Sequence, residues 1–438
     1  MIAFKEHLAE FNSGSLPSTN LESWGSLTPT ELTWNNGEKE CVLGLVDVVG
    51  AAIAPNLPDL PDKFSGFVVS AYPIRRSGIF GKPRRKLREY RFICPDDRTR
   101  DRWIRAINNT LRGVADLEAS LPPRHLHVIL NPASGNQNPR QLFDRLSPIF
   151  AASQMRWTLT ETQLGGDAIE IARNLSLDID GLVVVGGDGT IYEVVNGLMS
   201  RPDWQQAIEI PIGIVPAGTG NGLSKTVLEM AGEPDDPVSA AFLIAKGEVR
   251  SFDLMRVKQG DRTYYSMLSL SWGLVSDVDI ESERLRWLGS LRSDLYALLR
   301  ILMLRTYRGR FSFVPPSRSS LDSDWQTIED EFVFLWAMNL PWAARDKQAA
   351  PNVRADDGAM EVVVVRQGIA KWQLLAGLLQ IADGSYLKIP GIDSYRAGKL
   401  QLEPLQHQGI FAVDGERVEY STIEMEVLNG WIPVFCAS

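Results

Sequence analysis

The sequence of 438 residues predicts a fold class of α/β plus all-β: a doubly wound α/β domain, then an antiparallel β-sandwich, with a β-rich domain in front. Three observations carry this. Between 124 and 247, continuous apolar strand runs alternate with helical runs, the signature of a parallel sheet covered on both faces. From 248 to 438 the chain breaks into many short alternating segments, which reads as antiparallel sheets packed face to face. The length also suffices for two or three domains, each with its own core.

Residues 1–30 are rich in Ser, Thr, Asn, Gly and Pro without periodicity and read as a mobile leader. The β-rich domain, 31–120, holds strand segments at 41–49, 64–72 and 87–94, followed by a helix with Trp103, Ile104, Ile107 and Leu111 on one face. Strands closed by one amphipathic, Trp-bearing helix resemble a pleckstrin-homology-like module. After Leu121, Pro122 and Pro123 the alternation begins: strands 127–130, 157–162, 182–185 and 212–215, and helices 139–151, 166–175, 190–199 and one starting near Gly220. In such a sheet ligands lie beyond the carboxyl ends of the strands. The sandwich segments include 263–270, 331–338, 359–365, 410–413 and 422–427. One helix interrupts them, with Leu295, Leu298, Leu299 and Leu302 at i, i+3, i+4, i+7 and apolar residues on other faces too, so it must be buried or line something greasy.

A formal net charge of −9 and a pI near 5.2 argue against nucleic acid as a partner. Local charge differs: Arg75, Arg76, Lys82, Arg84, Arg85, Lys86, Arg88 and Arg91 are interrupted only by Glu89, a cluster able to touch an anionic leaflet. Cys41, Cys94 and Cys436 are far apart and without CxxC spacing, which suits a reducing cytosol better than a disulfide framework. The residues following Met1 have no signal-peptide character, and the nearly apolar run 41–54 is too short to span a bilayer. The expectation is a cytoplasmic protein with peripheral membrane association.

The strongest local signal is the strand ending in Gly186, Gly187, Asp188, Gly189 and Thr190, followed by a helix with Ile191, Val194, Val195 and Leu198 as its apolar stripe. Backbone N–H groups and a helix N-terminus are thereby placed to receive phosphate oxygens. Asp188 is the one carboxylate in the turn. Beside a triphosphate its charge is costly unless a metal or a proton transfer explains it, so it is read as a general base, with a helix cap as the alternative. A second strand ends in Pro216, Ala217, Gly218, Thr219, Gly220, Asn221 and Gly222, and a third in Asn131, Pro132, Ala133, Ser134 and Gly135. Small polar turns at the ends of strands in one sheet form a nucleotide cradle better than any one alone. No GxxxxGK[ST] loop and no protein-kinase HRD or DFG constellation accompanies them.

These loops in this order resemble the diacylglycerol-kinase catalytic superfamily, whose turns bind ATP. Within it, Glu193 to Met199 followed by Arg201, Pro202, Asp203 and Trp204, and the long block from Leu270 through Glu283 to Gly309, look like sphingosine kinases, as does the closing Asp414, Gly415, Glu416. The resemblance covers about 126–427. It implies an ATP-dependent lipid kinase acting on a sphingoid base, with Mg²⁺ as the usual partner of the nucleotide and no protein ligand assigned to it. It implies Asp188 as the base on the lipid hydroxyl, Asp279 at the polar head of the sphingoid base beside Ser271, and Leu274 and Val275 at the start of the acyl pocket. Arg286 and Arg292 correspond to phosphate-clamping arginines on the helix that follows. Asn131, Ser134, Thr162, Gly187, Gly189, Glu193, Gly218, Thr219, Gly220, Asp414, Gly415 and Glu416 would line the nucleotide. Where many sphingosine kinases carry Arg-Gly-Gly-Lys, this chain has the turn Ala133, Ser134, Gly135, Asn136 and Gln137, which removes a basic phosphate contact.

A ceramide or diacylglycerol kinase would share the ATP loops but meet a neutral head group. The acidic run Asp277, Asp279, Glu281, Glu283 speaks for a protonated amine. NAD kinases also use a Gly-Gly-Asp-Gly turn but have no need of the apolar helix at 295–304. A lipid-binding scaffold with the same fold is the non-enzymatic alternative, against which the intact Asp188 turn counts.

Overall fold

The computed structural model describes residues 4–11, 23–35, 39–54, 64–76, 78, 81–135, 138–282, 284–285, 291–316 and 325–437. The chain divides into two compact units, one of residues 1–126, 143–158 and 232–248, the other of 127–142, 159–231 and 249–438.

The first unit holds two four-stranded antiparallel sheets. One has the order Phe4–His7, Trp24–Leu27, Glu31–Asn35, Glu40–Gly44; the other Ala9–Glu10, Arg88–Cys94, Ser65–Ala71, Val48–Ile53. A single helix, Asp97–Leu111, closes them. Asp96 caps it by accepting the Thr99 N–H at 2.8 Å, and its buried stripe of Trp103, Ile104 and Ile107 packs with Leu27, Leu32, Phe67 and Phe92. The expected structureless leader is corrected here: Phe4–His7, Ala9–Glu10 and Trp24–Leu27 are strands, and Leu8 and Leu27 are fully buried. Strands of two to four residues are too short to leave a readable alternation. The segment expected as one strand at 41–49 is interrupted by a helical turn, Leu45–Asp47.

That turn has a purpose within the unit. The buried Arg85 binds Asp47 at 2.8 Å and Glu233 at 2.5 Å, donates to the Tyr72 carbonyl, and stacks 3.6 Å from the Phe242 ring centroid. Helix Pro237–Lys246, N-capped by Asp236, is thereby fastened to the N-terminal strands, and Lys246 adds bonds to the Leu45 and Val48 carbonyls. Arg85 therefore leaves the expected membrane-facing basic cluster.

In the second unit, Gly181–Gly186 and Ile212–Pro216 pair in parallel, from Leu182 opposite Ile212 to Gly186 opposite Pro216. Every residue of both strands is buried, which is why they read as unbroken apolar runs. The last strand, Ile423–Phe435, pairs in parallel with the second of these at Val434 and antiparallel with Val249–Gln259, carrying the α/β sheet into the sandwich. The sandwich core is aromatic and branched, with Trp272, Phe311, Phe332, Phe411, Val362, Val364, Leu400 and Leu402 among its members.

The opposite face of the strands Ser269–Gly273, Gln326–Met338 and Met360–Arg366 carries a second apolar cluster: Leu274, Val278, Ala297, Ile301, Phe334, Val363, Val365, Leu374 and Tyr386. Helices Leu274–Glu281, Leu291–Leu302 and Lys371–Gln380 supply several of these residues. No helix among the described residues is long and apolar enough to cross a membrane.

Candidate functional site

The glycine turns meet at the ends of the parallel strands. A Cβ on Gly218 would stand 2.6 Å from the Gly187 Cα, and one on Gly135, already at φ +60°, 2.4 Å from the Ala217 carbonyl oxygen. Only glycine permits such approach, and its absence of a side chain is what lets the turns nest. The Ala217 and Gly218 N–H groups both donate to the Gly186 carbonyl, at 2.8 and 3.1 Å. Asn131 ties in the first turn: its Nδ2 donates to Thr190 Oγ1 at 3.0 Å and its Oδ1 accepts the Ala133 N–H. Asn221, in the left-handed region at φ 59°, accepts the Gly218 N–H and returns a bond to the Gly218 carbonyl.

Asp188 sits at the centre of this arrangement. It opens helix Asp188–Met199, and its carboxylate accepts the Gly222 N–H at 2.9 Å and the Leu223 N–H at 3.2 Å, the first turn of helix Gly222–Met230. Burial raises its pKa, and the N–H groups of Gly222 and Leu223 oppose the rise. A raised pKa makes the ionised carboxylate a stronger proton acceptor than an ordinary aspartate. Asp188 thus caps helix Gly222–Met230 from a neighbouring turn, not the helix it opens, whose N-cap Gly187 makes no side-chain bond. Gly220 would bring a Cβ within 3.0 Å of Asp188 Oδ2, so that position stays small.

Glu416 approaches from the sandwich, its Oε1 lying 3.5 Å from where a Gly189 Cβ would be. It follows a hairpin turn made by Asp414 at φ 50° and Gly415 at φ 84°. The Asp414 carboxylate itself is buried and spent on the protein: it accepts from Ser266 Oγ at 2.6 Å and from the N–H groups of Met267, Leu268 and Ser269. Burial pushes its pKa up to about 6. It therefore holds the strand start at Ser269 rather than presenting its carboxylate to a ligand. Glu193 is likewise engaged, accepting the Gly166 and Ala168 N–H groups at the start of helix Asp167–Arg173. Thr162 is buried, whereas Ser134 and Thr219 stay accessible on the turns.

The acidic run from Asp277 to Glu281 is helical. Helix Leu274–Glu281 puts Asp277 and Glu281 on one face and Asp279 on the other. Asp277 is buried and bound by Arg300 and by the Tyr307 hydroxyl, both at 2.5 Å, while Glu281 accepts from Tyr296 and Arg305. Asp279 is the exposed member, and Leu274 and Val275 belong to the second apolar cluster. Ser271 is buried in the adjoining strand and accepts from Ser276 Oγ at 3.1 Å.

Arg286 and Glu283 lie outside the described residues. Arg292 stands in the first turn of helix Leu291–Leu302, where Asp294 binds Lys347 at 2.8 Å. The loop bearing Lys347 also meets the glycine turn, with the Arg345 N–H donating to the Gly220 carbonyl and Asn221 bridging Ala344. The start of helix Leu291–Leu302 and the Gly218–Gly222 turn thus share one support. The 342–347 loop left no signal in the sequence, because its role rests on contacts 53 or more residues away.

Comparison with known proteins is consistent with this geometry. Residues 125–257 match the model of a diacylglycerol kinase catalytic domain, and 270–436 that of a YegS C-terminal NAD kinase beta sandwich-like domain. The chain is 36% identical to sphingosine kinase 1 of Arabidopsis thaliana over 332 residues, covering 67% of this chain and 68% of the relative. It is 32% identical to sphingosine kinase 1 of Homo sapiens, covering 70% and 89%. The crystal structure of a diacylglycerol kinase from Bacillus anthracis superposes with a TM-score of 0.53 at 20% identity, over 73% of this chain and 98% of that one, a likeness of fold alone.

Proposed function

The chain belongs to the sphingosine kinase family, and from that premise we propose that it transfers the γ-phosphoryl group of ATP to the primary hydroxyl of a sphingoid base, with Asp188 as the base. The observation that carries this is the Asp188 carboxylate, fixed by the Gly222 and Leu223 amides where the glycine turns converge. In-line attack forms the bond from the lipid oxygen to phosphorus and breaks that from phosphorus to the bridging oxygen of ADP. The hydroxyl proton passes to Asp188. Backbone amides of the turns, with Asn131, Ser134, Thr162, Gly187, Gly189, Gly218, Thr219, Gly220, Gly415 and Glu416, would hold the nucleotide, and Arg292 and Arg286 the charge on the transferred group. Asp414 and Glu193 serve that site by positioning its backbone.

Asp279 would meet the ammonium group, Ser271 the head, and Leu274 and Val275 the chain, leading into the second apolar cluster. Mg²⁺ would neutralise phosphate charge when bound. Glu416, whose Oε1 lies 3.5 Å from where a Gly189 Cβ would be, is the carboxylate that would hold it.

Peripheral membrane contact is supported at two places. On the hairpin of Ile74–Arg76 and Pro83–Arg85, Arg75 lies directly opposite Arg84, a pairing of like charges that an anionic surface relieves. On helix Leu291–Leu302, Leu295, Leu298, Leu299 and Leu302 are 41 to 56% exposed, more apolar surface on one helix than scattered residues explain.

The test is phosphate transfer from radiolabelled ATP by the purified protein to sphingosine, ceramide, diacylglycerol and NAD in parallel. Sphingosine is expected to dominate. Preference for ceramide or diacylglycerol would refute the ammonium-recognising head site.

A further inference from the structure

Trp336 lies within strand Gln326–Met338, directly opposite Ser271 on one side and Val363 on the other. Residues paired in an antiparallel ladder project to the same face, so the indole stands beside Ser271 on the face that carries Phe334, Val363 and Val365. It packs against the second apolar cluster, with Leu274 and Val275 among its members. Its Nε1–H is buried and reaches no acceptor among the described residues. Phenylalanine would fill such a place without a donor that is costly when left unmade. The indole therefore suits an acceptor brought by the ligand.

Resting on the lipid site proposed above, the choice of acceptor narrows by chemistry. The ammonium of a sphingoid base can only donate, and the primary hydroxyl belongs to Asp188 and the incoming phosphoryl group. Secondary hydroxyl oxygens on the lipid backbone remain. Position agrees: the Ser269 end of the neighbouring strand is tied to Asp414 and the hairpin of Glu416, next to Gly189, whereas its Gly273 end leads into Leu274 and Val275. Ser271 and Trp336 lie between nucleotide turn and chain pocket, where carbons just beyond the amine would pass. We infer that Trp336 Nε1–H donates to a secondary hydroxyl of the sphingoid base, at C3 or C4, and makes the enzyme selective for bases that carry it.

The experiment compares wild type with Trp336→Phe on 3-deoxysphinganine, sphinganine and 4-hydroxysphinganine, at saturating ATP and from one preparation of each protein. Ratios between substrates cancel any loss of folded enzyme. The variant should leave 3-deoxysphinganine unchanged and lower kcat/KM about 3- to 10-fold for the bases carrying the contacted hydroxyl, the range of one neutral hydrogen bond. A loss that begins with sphinganine assigns C3; a loss confined to 4-hydroxysphinganine assigns C4. An equal effect on all three, including none, overturns the inference. Leu274→Trp separates the underlying reading: if it leaves kcat/KM for every base unchanged, the chain pocket is elsewhere and the Trp336 contact falls with it, whereas an effect of Leu274→Trp with no selectivity change in Trp336→Phe overturns the contact alone.

Discussion

Replacing Asp188 by Asn separates the proposed general base from the observed cap of helix Gly222–Met230. Asn keeps the volume and one acceptor oxygen, so it can still take one of the two amides, Gly222 at 2.9 Å or Leu223 at 3.2 Å; the other then faces an NH₂ donor. One mismatched amide costs about 1–3 kcal/mol, and loss of a negative charge at a helix N-terminus adds about 0.3–1 kcal/mol. For a unit of this size each 1 kcal/mol lowers Tm by about 2–4 °C. A cap alone therefore predicts a melting shift of several degrees with turnover retained. A general base predicts, in addition, a fall in kcat of roughly 100-fold or more, with KM for ATP little altered. The pH profile supplies a third readout. Burial raises the Asp188 pKa and only the ionised form accepts the proton, so kcat/KM should decline as pH falls through a value above the ordinary carboxylate range, and that acid limb should vanish in the variant. The assays are transfer from radiolabelled ATP across pH and thermal melting of the same samples. Turnover near wild type with a lowered Tm would show that Asp188 is only a cap, and the proposed mechanism would fail.

Other perturbations probe the surrounding parts. Asp279→Asn removes the exposed charge from helix Leu274–Glu281 and should lower kcat/KM for sphingosine about 10-fold or more, as loss of a charged hydrogen bond does, with the ATP KM nearly unchanged; equal losses on an uncharged N-acylated analogue would remove its role at the ammonium. Asp414→Asn turns Oδ2 into a donor facing the Met267 N–H and should cost about 1–3 kcal/mol, read as a lower Tm; an unchanged Tm with a weakened ATP KM would return Asp414 to direct ligand contact. Reversing Arg84 and Lys86 to Glu, with the buried Arg85 kept, should weaken sedimentation with anionic liposomes while sparing turnover of detergent-dispersed sphingosine; unchanged sedimentation would discard the hairpin as a membrane contact.

The α/β half and its turns were legible because their signals are local. A strand buried on both faces must be apolar throughout, as in Gly181–Gly186, and a turn that nests against another turn must be glycine, as at Gly187 and Gly218. Chain order alone then brings the strand ends together in a parallel sheet. The family resemblance supplied the roles proposed for Asp188 and Asp279, which residue type and spacing by themselves leave open between base and cap, or between ligand contact and solvated acid. What only the tertiary structure decided were partnerships across long stretches of chain. Asp277 and Asp279 stand two apart, yet the helix turns one into the buried Arg300 and Tyr307 and leaves the other exposed. Arg85 reads as one cation among eight until Asp47, Glu233 and Phe242 surround it, and Asp414 reads as a nucleotide contact until Ser266 through Ser269 claim its oxygens. The short strands of the first thirty residues likewise exist only because Leu8 and Leu27 find a core built by later segments. Periodicity and turn chemistry report what a segment does to itself, whereas the destination of a single charged side chain depends on which distant residue desolvates it and supplies its partner.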